Sequence, residues 1–168
     1  MNGIVSFDPA WGSHIPVLAK VMQMSHGPVM ELGIGIYSSP LLHLYCRAQG
    51  RTLESYEHEK NWANLFKDFI QSYHTITQVD NWDTIPIEKQ HWGVIFVDHE
   101  SSRRSIEAIR AANYADFVVL HDTNGRMNPI YHWDLVYPHY KYQYHFDKTY
   151  PHTTVVSNFI PVENLWTI

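Results

Sequence analysis

Acidic and imidazole side chains recur in this 168-residue chain at places where chemistry could use them. Two pairs stand out, Asp98-His99 and His121-Asp122, each directly after an apolar run. A histidine beside a carboxylate has a proton affinity suited to deprotonating a hydroxyl near neutral pH. His121 or His99 is therefore the expected base, with Asp98 beside it. The same residues could instead hold a divalent metal, with Asp98 and Asp122 as its carboxylates. They could also do no more than orient a bound ligand. Earlier in the chain come Glu31, Gly33, Gly35 and Ser38 in PVMELGIGIYSSP, then Glu57-His58-Glu59, then Asp80-Asn81-Trp82. Any one acid here could be a turn former. Together they read as the rim of a ligand site.

The elements between them would set that rim. Residues 28–32 read as a buried strand, Gly33 and Gly35 as a tight turn, and Ser38, Ser39 and Pro40 as a helix start. Serine is a favoured N-cap, and proline at the first helical position needs no donor. Ahead of this strand, residues 13–25 form an amphipathic helix capped by Ser13, with Val17, Leu18, Val21 and Met22 on one face. Behind it, Leu41, Leu44, Tyr45 and Ala48 mark a second helix that stops at Gly50. Residues 51–57 and 74–79 are further strands. Between them Trp62, Leu65, Phe66, Phe69, Ile70 and Tyr73 form a helical stripe that reads as core rather than ligand site. Residues 92–97, and residues 116–120 after Asp116, are continuously apolar, as expected of strands buried on both faces of a parallel sheet. Ser101 to Asn113 fits a helix with Ile106, Ile109 and Ala112 inward.

Strand and helix thus alternate, which predicts an α/β sheet with right-handed crossovers. Residues 141–146 and 152–159 break the rhythm. Two strands joined so briefly must be antiparallel. In such a sheet, ligands bind beyond the carboxyl ends of the strands, where all the acids above fall. The aromatic-rich stretch 124–140, with Arg126, Tyr131, His132, Trp133 and Tyr137, is either a wall of the acceptor site or a helix packed on the sheet.

Composition narrows the partners. At 45% hydrophobic and 17% charged, the chain reads as one globular domain over residues 1–168. A net charge of −5 without a Lys/Arg block disfavours a nucleic-acid partner. Cys46 alone can form no internal disulfide and no cysteine zinc cluster. No apolar run reaches membrane length, and residues 1–11 lack the features of a signal peptide, so a cytoplasmic location away from membranes is expected. Most of the 12 histidines are read as ordinary core or surface side chains.

The glycine turn itself discriminates among ligands. A phosphate-gripping loop needs Gly-Lys-Ser/Thr, which does not occur. A dinucleotide fingerprint needs a third glycine where Ser38 stands. Glu57 suits a carboxylate holding ribose hydroxyls. Glu31 beside the turn would repel a pyrophosphate and attract a cation. S-adenosylmethionine carries a sulfonium and an ammonium and no phosphate, and fits this pattern.

Over residues 11–160 the sequence resembles the class I S-adenosylmethionine-dependent methyltransferases, in particular the small-molecule O-methyltransferases. ELGIGIYSS is similar to their glycine-rich first motif and LESYEHEKNW to their second, in which Glu57 would take the ribose hydroxyls, with His58 next to it. VDNW is similar to the adenine-contacting loop, enlisting Asp80, Asn81 and Trp82. FVDHE and VVLHDTN resemble the fourth and fifth strand ends. The resemblance implies a Rossmann-like, doubly wound sheet, mostly parallel with an antiparallel C-terminal strand. It also implies O-methylation of a small-molecule or carbohydrate-like acceptor. Cofactor contacts would come from Glu31, Gly33, Gly35, Ser38 and Asp98. In catechol O-methyltransferase-like enzymes these strand ends hold magnesium, and Asp98 and Asp122 match the two aspartates. The sequence departs from that pattern where Thr123 replaces asparagine and where no lysine follows Asp98. Little sequence precedes the first strand, so the acceptor site would be open, completed by a second subunit, as in a homo-oligomer, or suited to a larger partner. A protein of this fold that binds the cofactor without transferring methyl, as a partner subunit, is the alternative. A nicotinamide-dependent oxidoreductase is a third reading, opposed by Glu31 and Ser38.

Overall fold

The computed structural model describes residues 8–163 and 165–166; residues 1–7 of the stretch read as lacking a leader lie outside them. Seven strands form one sheet: β1 (Val29–Leu32), β2 (Leu53–Glu57), β3 (His74–Gln78), β4 (Trp92–Val97), β5 (Ala115–His121), β6 (Tyr142–Phe146) and β7 (Thr153–Ser157). Their order is β3-β2-β1-β4-β5-β7-β6. The first five are parallel, while β7 runs antiparallel to both β5 and β6. The Rossmann-like sheet with an antiparallel C-terminal strand is therefore the architecture. The strand order reverses between β1 and β4, which opens a crevice at their carboxyl ends.

Successive side chains of a strand point to opposite faces, so each buried strand feeds two cores. Val94 and Phe96 of β4 join Val17, Leu18 and Val21 of α1 (Ile15–Met24) and Leu42 of α2 (Ser38–Gln49). Ile95 and Val97 join Ala108 of α4 (Arg104–Arg110) and Trp133 and Val136 of α6 (Trp133–Val136). Both faces are covered, which is why β4 tolerates no polar residue along its length. No helix of the described residues is long and apolar enough to cross a membrane.

Several local expectations change in the folded chain. Ser13 does not cap α1, whose N-cap is His14 without a side-chain bond; its hydroxyl instead meets His121. Ser38 is the first residue of α2 rather than its cap, and Tyr37 takes the cap position. The inward face of α2 is Leu42 and Cys46; Leu44 is exposed, because Ser38 and Ser39 turn the first turn of the helix toward the sheet. The aromatic stripe after residue 60 forms only the short α3 (Lys60–Leu65) and a 3₁₀ turn over Lys67–Phe69, with Leu65 and Ile70 exposed. It lies beside β3, the sheet edge, where there is less apolar surface to cover. In α4, Ile106 faces solvent and Glu107 faces inward. Residues 128–136 form two single-turn helices, α5 (Asn128–Tyr131) and α6, broken at His132, whose φ is 55°. Tyr131, Trp133, Val136 and Tyr140 pack into the core, so this stretch covers the sheet.

Candidate functional site

Strand periodicity carries past the strand ends and sorts the candidate residues. Register pairs Val97 with Leu120, so the next residues, Asp98 and His121, are neighbours. Both follow the face of Phe96 and Val119, toward α1. Asp98 Oδ1 lies 3.1 Å from His121 Nδ1, and His121 Nε2 lies 2.9 Å from Ser13 Oγ. His99 points the other way. It is buried against Trp82, ring centroids 4.2 Å apart, and its Nε2 lies 3.2 Å from Glu107 Oε2. The two histidines are thus on opposite faces, and only His121 reaches the cavity below.

Arg104, which the sequence reading did not single out, holds the centre. Its Nη2 is 2.9 Å from Asp98 Oδ1 and its Nη1 donates to Asp122 Oδ2 at 2.9 Å. Its Nε donates to the His99 carbonyl, and its guanidinium lies over the Tyr131 ring. Asp122 sits in the left-handed region with φ 59°, a conformation uncommon outside glycine. Hydrogen bonds from Arg104 and Tyr131 to its carboxylate and from Trp133 Nε1 to its carbonyl hold it there. Burial raises the Asp98 carboxyl, but Arg104 and His121 outweigh it and hold it well below the usual carboxylate range. Burial likewise favours neutral His121, and the Asp98 charge reverses this, raising the imidazole. Burial keeps His99 below its ordinary value despite Glu107.

The glycine turn is built for contact with this cluster. Gly33 has φ 90°, and a Cβ there would lie 2.5 Å from the Asp98 carbonyl oxygen. Glycine lets the ends of β1 and β4 approach. A Cβ on Gly35 would sit 2.8 Å from Ser38 Oγ, so the turn is also closed on the helix side. Glu57 clamps the loop: its Oε2 accepts from Ile34 N at 3.2 Å and its Oε1 from Glu59 N at 2.9 Å, with His58 Nδ1 3.1 Å away. Trp62, assigned to the core from its periodicity, donates its indole N–H to the Ile34 carbonyl at 2.7 Å.

Glu31 does not reach the cavity. It is fully buried under α2 and accepts from Ser39 and Ser55 hydroxyls. Burial raises its carboxyl to about 7, against the opposing serine hydrogen bonds. The anion that faces the crevice is Asp98. At the end of β3, Asp80 accepts from Gln78, and Asn81 caps the Trp82–Thr84 turn through Asp83 N. Trp82 is buried, with its indole N–H on Glu100.

A cavity of about 470 Å³ gathers the centre of this arrangement. The loop residues Ile34 to Tyr37 line one side, Asp98, His121, Asp122 and Arg104 another, and His14, Trp11 and Trp62 close it. A larger hollow, about 590 Å³, lies at the opposite strand ends around Arg51. There the guanidinium is tied to the carbonyls of Met22, Ser25 and Gly27, so it acts as a structural brace. Of the chemistry-bearing groups, His14, Asp98, Arg104, His121 and Asp122 line the smaller cavity, and Glu31, Glu57, His99, Asp80 and Asn81 do not. His14 was not legible as a site residue. It belongs to a helix that touches the strand ends only after folding.

The Asp98 and Asp122 pair does not fit a magnesium ion. The Arg104 guanidinium spans the two carboxylates, placing a fixed positive charge where the cation would sit.

Comparison with known proteins identifies the architecture. No protein-family profile and no curated relative matches the chain. Solved structures do. The METTL16 MTase domain superimposes with a TM-score of 0.65 at 10% identity, over 94% of this chain and 71% of that one. Cofactor-bound Rv0187 from MTB gives 0.64 at 13% identity, over 94% and 84%. MtNAS in complex with MTA and tNA gives 0.55 at 17% identity, over 91% of this chain and 61% of that longer one. The chain has the class I methyltransferase fold. Within that fold, the glycine turn after β1 and the Asp98–His121 pair after β4 and β5 are the parts that border the cavity.

Proposed function

We propose that this chain is a cytoplasmic, single-domain S-adenosylmethionine-dependent methyltransferase acting on an oxygen of a small-molecule or carbohydrate-like acceptor. One observation carries the reading: the glycine turn and an ionised carboxylate beside an imidazole line the same cavity at the β1–β4 crevice. The donor set fits the cofactor. Asp98 supplies an anion for a positive end, Glu57 at the end of β2 suits ribose hydroxyls, and no lysine lines the cavity.

The cofactor supplies an already activated methyl group. What remains for the protein is mostly positioning. With S-adenosylmethionine bound, the acceptor oxygen would take the methyl carbon as the carbon–sulfur bond breaks, with S-adenosylhomocysteine as the leaving group. His121 would take the acceptor's proton at Nδ1, the nitrogen without a hydrogen-bond partner, where the Asp98 carboxylate 3.1 Å away stabilises the resulting imidazolium and Ser13 Oγ holds Nε2. His99, held by Glu107 on the far face, supports Trp82 rather than the acceptor. Asp80, Asn81 and His58 stand at the ends of β2 and β3, where the adenosine half would extend.

Thermal-shift measurements with S-adenosylhomocysteine and with NAD test the cofactor class. Stabilisation by the first alone is expected, and its absence overturns the reading. Release of S-adenosylhomocysteine on adding hydroxylated acceptors then separates an enzyme from a partner subunit that only binds.

A further inference from the structure

His14 is buried to 2% exposure, yet neither ring nitrogen has a hydrogen-bond partner. A buried polar atom without a partner is uncommon in folded proteins and calls for an explanation. The ring packs against Phe96 at 4.8 Å and edge-on to His121 at 4.7 Å, and it lines the cavity beside Asp98. His14, Asp98 and His121 each offer one ligand atom, all within 4.8 Å of one another. We propose that these three residues form a binding site for a divalent transition-metal ion.

Three features support it. Ligand atoms around one ion at ~2.1 Å stand about 3.0–3.4 Å apart, and His121 Nδ1 and Asp98 Oδ1 are already 3.1 Å apart. They reach that distance without the alignment of a hydrogen bond, as two groups aimed at a common third point would. The opposite nitrogen, His121 Nε2, lies 2.9 Å from Ser13 Oγ. Metal-ligating histidines characteristically anchor their second nitrogen in this way, which fixes the tautomer.

Two imidazoles and one carboxylate select first-row transition ions of the iron, cobalt, nickel and zinc class over magnesium or calcium. The remaining coordination positions would open into the cavity. The set differs from the Asp98–Asp122 pair, which Arg104 spans; Arg104 Nη2 also lies 2.9 Å from Asp98 Oδ1, so a bound ion would share that carboxylate with the guanidinium. It shares Asp98 and His121 with the proposed transfer chemistry and requires no bound cofactor; an ion on His121 Nδ1 and proton uptake at that nitrogen are alternatives.

Cobalt(II) is the probe. The metal-stripped full chain is titrated with CoCl₂ while visible d–d absorption and thermal stability are recorded. One equivalent should bind, with new absorption bands and a raised melting temperature. His14→Phe keeps an aromatic ring against Phe96 and removes the ligand. It should fold at least as stably without metal, lose the bands and the cobalt-dependent shift, and bind cobalt about tenfold or more weakly. Asp98→Asn should also lose the bands, whereas Asp122→Asn should keep them. The proposal is overturned if the wild type shows neither bands nor stabilisation, or if His14→Phe retains them. It is equally overturned if Asp122→Asn abolishes the bands while His14→Phe does not. Binding of S-adenosylhomocysteine, measured on the same samples without metal, reports separately on the methyltransferase reading.

Discussion

His121 Nδ1 lies 3.1 Å from Asp98 Oδ1, across the carboxyl ends of adjacent parallel strands. Their neighbours His99 and Asp122 are one residue further along the same strands and make different contacts. If His121 accepts the proton, His121→Asn should lower turnover by about 10²–10⁴-fold while leaving S-adenosylhomocysteine affinity within a few fold. His99→Asn should lower turnover far less and act on stability. Steady-state kinetics with both variants, alongside calorimetric binding, decides between the two histidines.

Glu57 holds the glycine loop and stands at the ribose end of the proposed site. Replacing it with glutamine removes a charged acceptor for Ile34 N and for the ligand. Hydrogen bonds to charged groups contribute roughly 1.5–3 kcal/mol, so S-adenosylhomocysteine should bind about 10- to 100-fold more weakly. An unchanged dissociation constant would place the ribose elsewhere.

Gly33→Ala combines an unfavourable φ of 90° with a Cβ 2.5 Å from the Asp98 carbonyl oxygen. Backbone on both sides must move. A loss of about 2 kcal/mol or more is expected, read as a lowered urea midpoint at unchanged slope. Gly125→Ala, where an added Cβ meets nothing within 4 Å, is the control.

Arg104 is the buried cation of a triad with the partly exposed Asp98 and Asp122. Removing one partner of a fully buried set costs about 3–5 kcal/mol; solvent at the two carboxylates brings the cost here toward or below the lower end of that range. Arg104→Met should therefore destabilise the fold. Arg104→Lys should recover only part, since an ammonium cannot span two carboxylates as a planar guanidinium does. Chemical denaturation of both variants measures the difference.

Glu31 links stability to pH. Its carboxyl is raised from 4.5 to about 7 in the folded chain. Between those values the native state keeps a proton that the unfolded state has lost. This contribution is complete below pH 4.5 and disappears as pH rises through 7, a loss on the order of 2–3 kcal/mol. Glu31→Gln should remove that slope. Denaturation curves from pH 4.5 to 8 for the two proteins would converge at low pH and separate at high pH; parallel curves would refute the linkage.

Much of the fold was legible in the amino-acid order. The apolar runs at 92–97 and 117–120 are what strands covered on both faces require, and β4 and β5 occupy those positions. The short connection between the last two runs required antiparallel pairing, as β6 and β7 show. Gly33 was legible as a tight turn because a left-handed residue needs glycine. Local periodicity was a poorer guide where an element met the sheet edge. Trp62 fits a helical stripe, yet its indole N–H finds the Ile34 carbonyl and its ring closes the cavity.

What a side chain faces at a strand end depends on register and on what packs above it, and neither is local. Parity separates Asp98 from His99, and register then pairs Asp98 with His121. Glu31, beside the glycines in sequence, follows the opposite logic: the parity that buries it under α2 hands it to Ser39 and Ser55 instead of a ligand. His14 and Arg104 come from helices whose sequences give no hint of a site. They reach it because α1 and α4 cover opposite faces of the same two strands. The sequence determined the sheet, its turn and which strand ends carry acids and imidazoles. Only tertiary packing decided which of those groups share a cavity, because that depends on contacts between residues far apart in the chain.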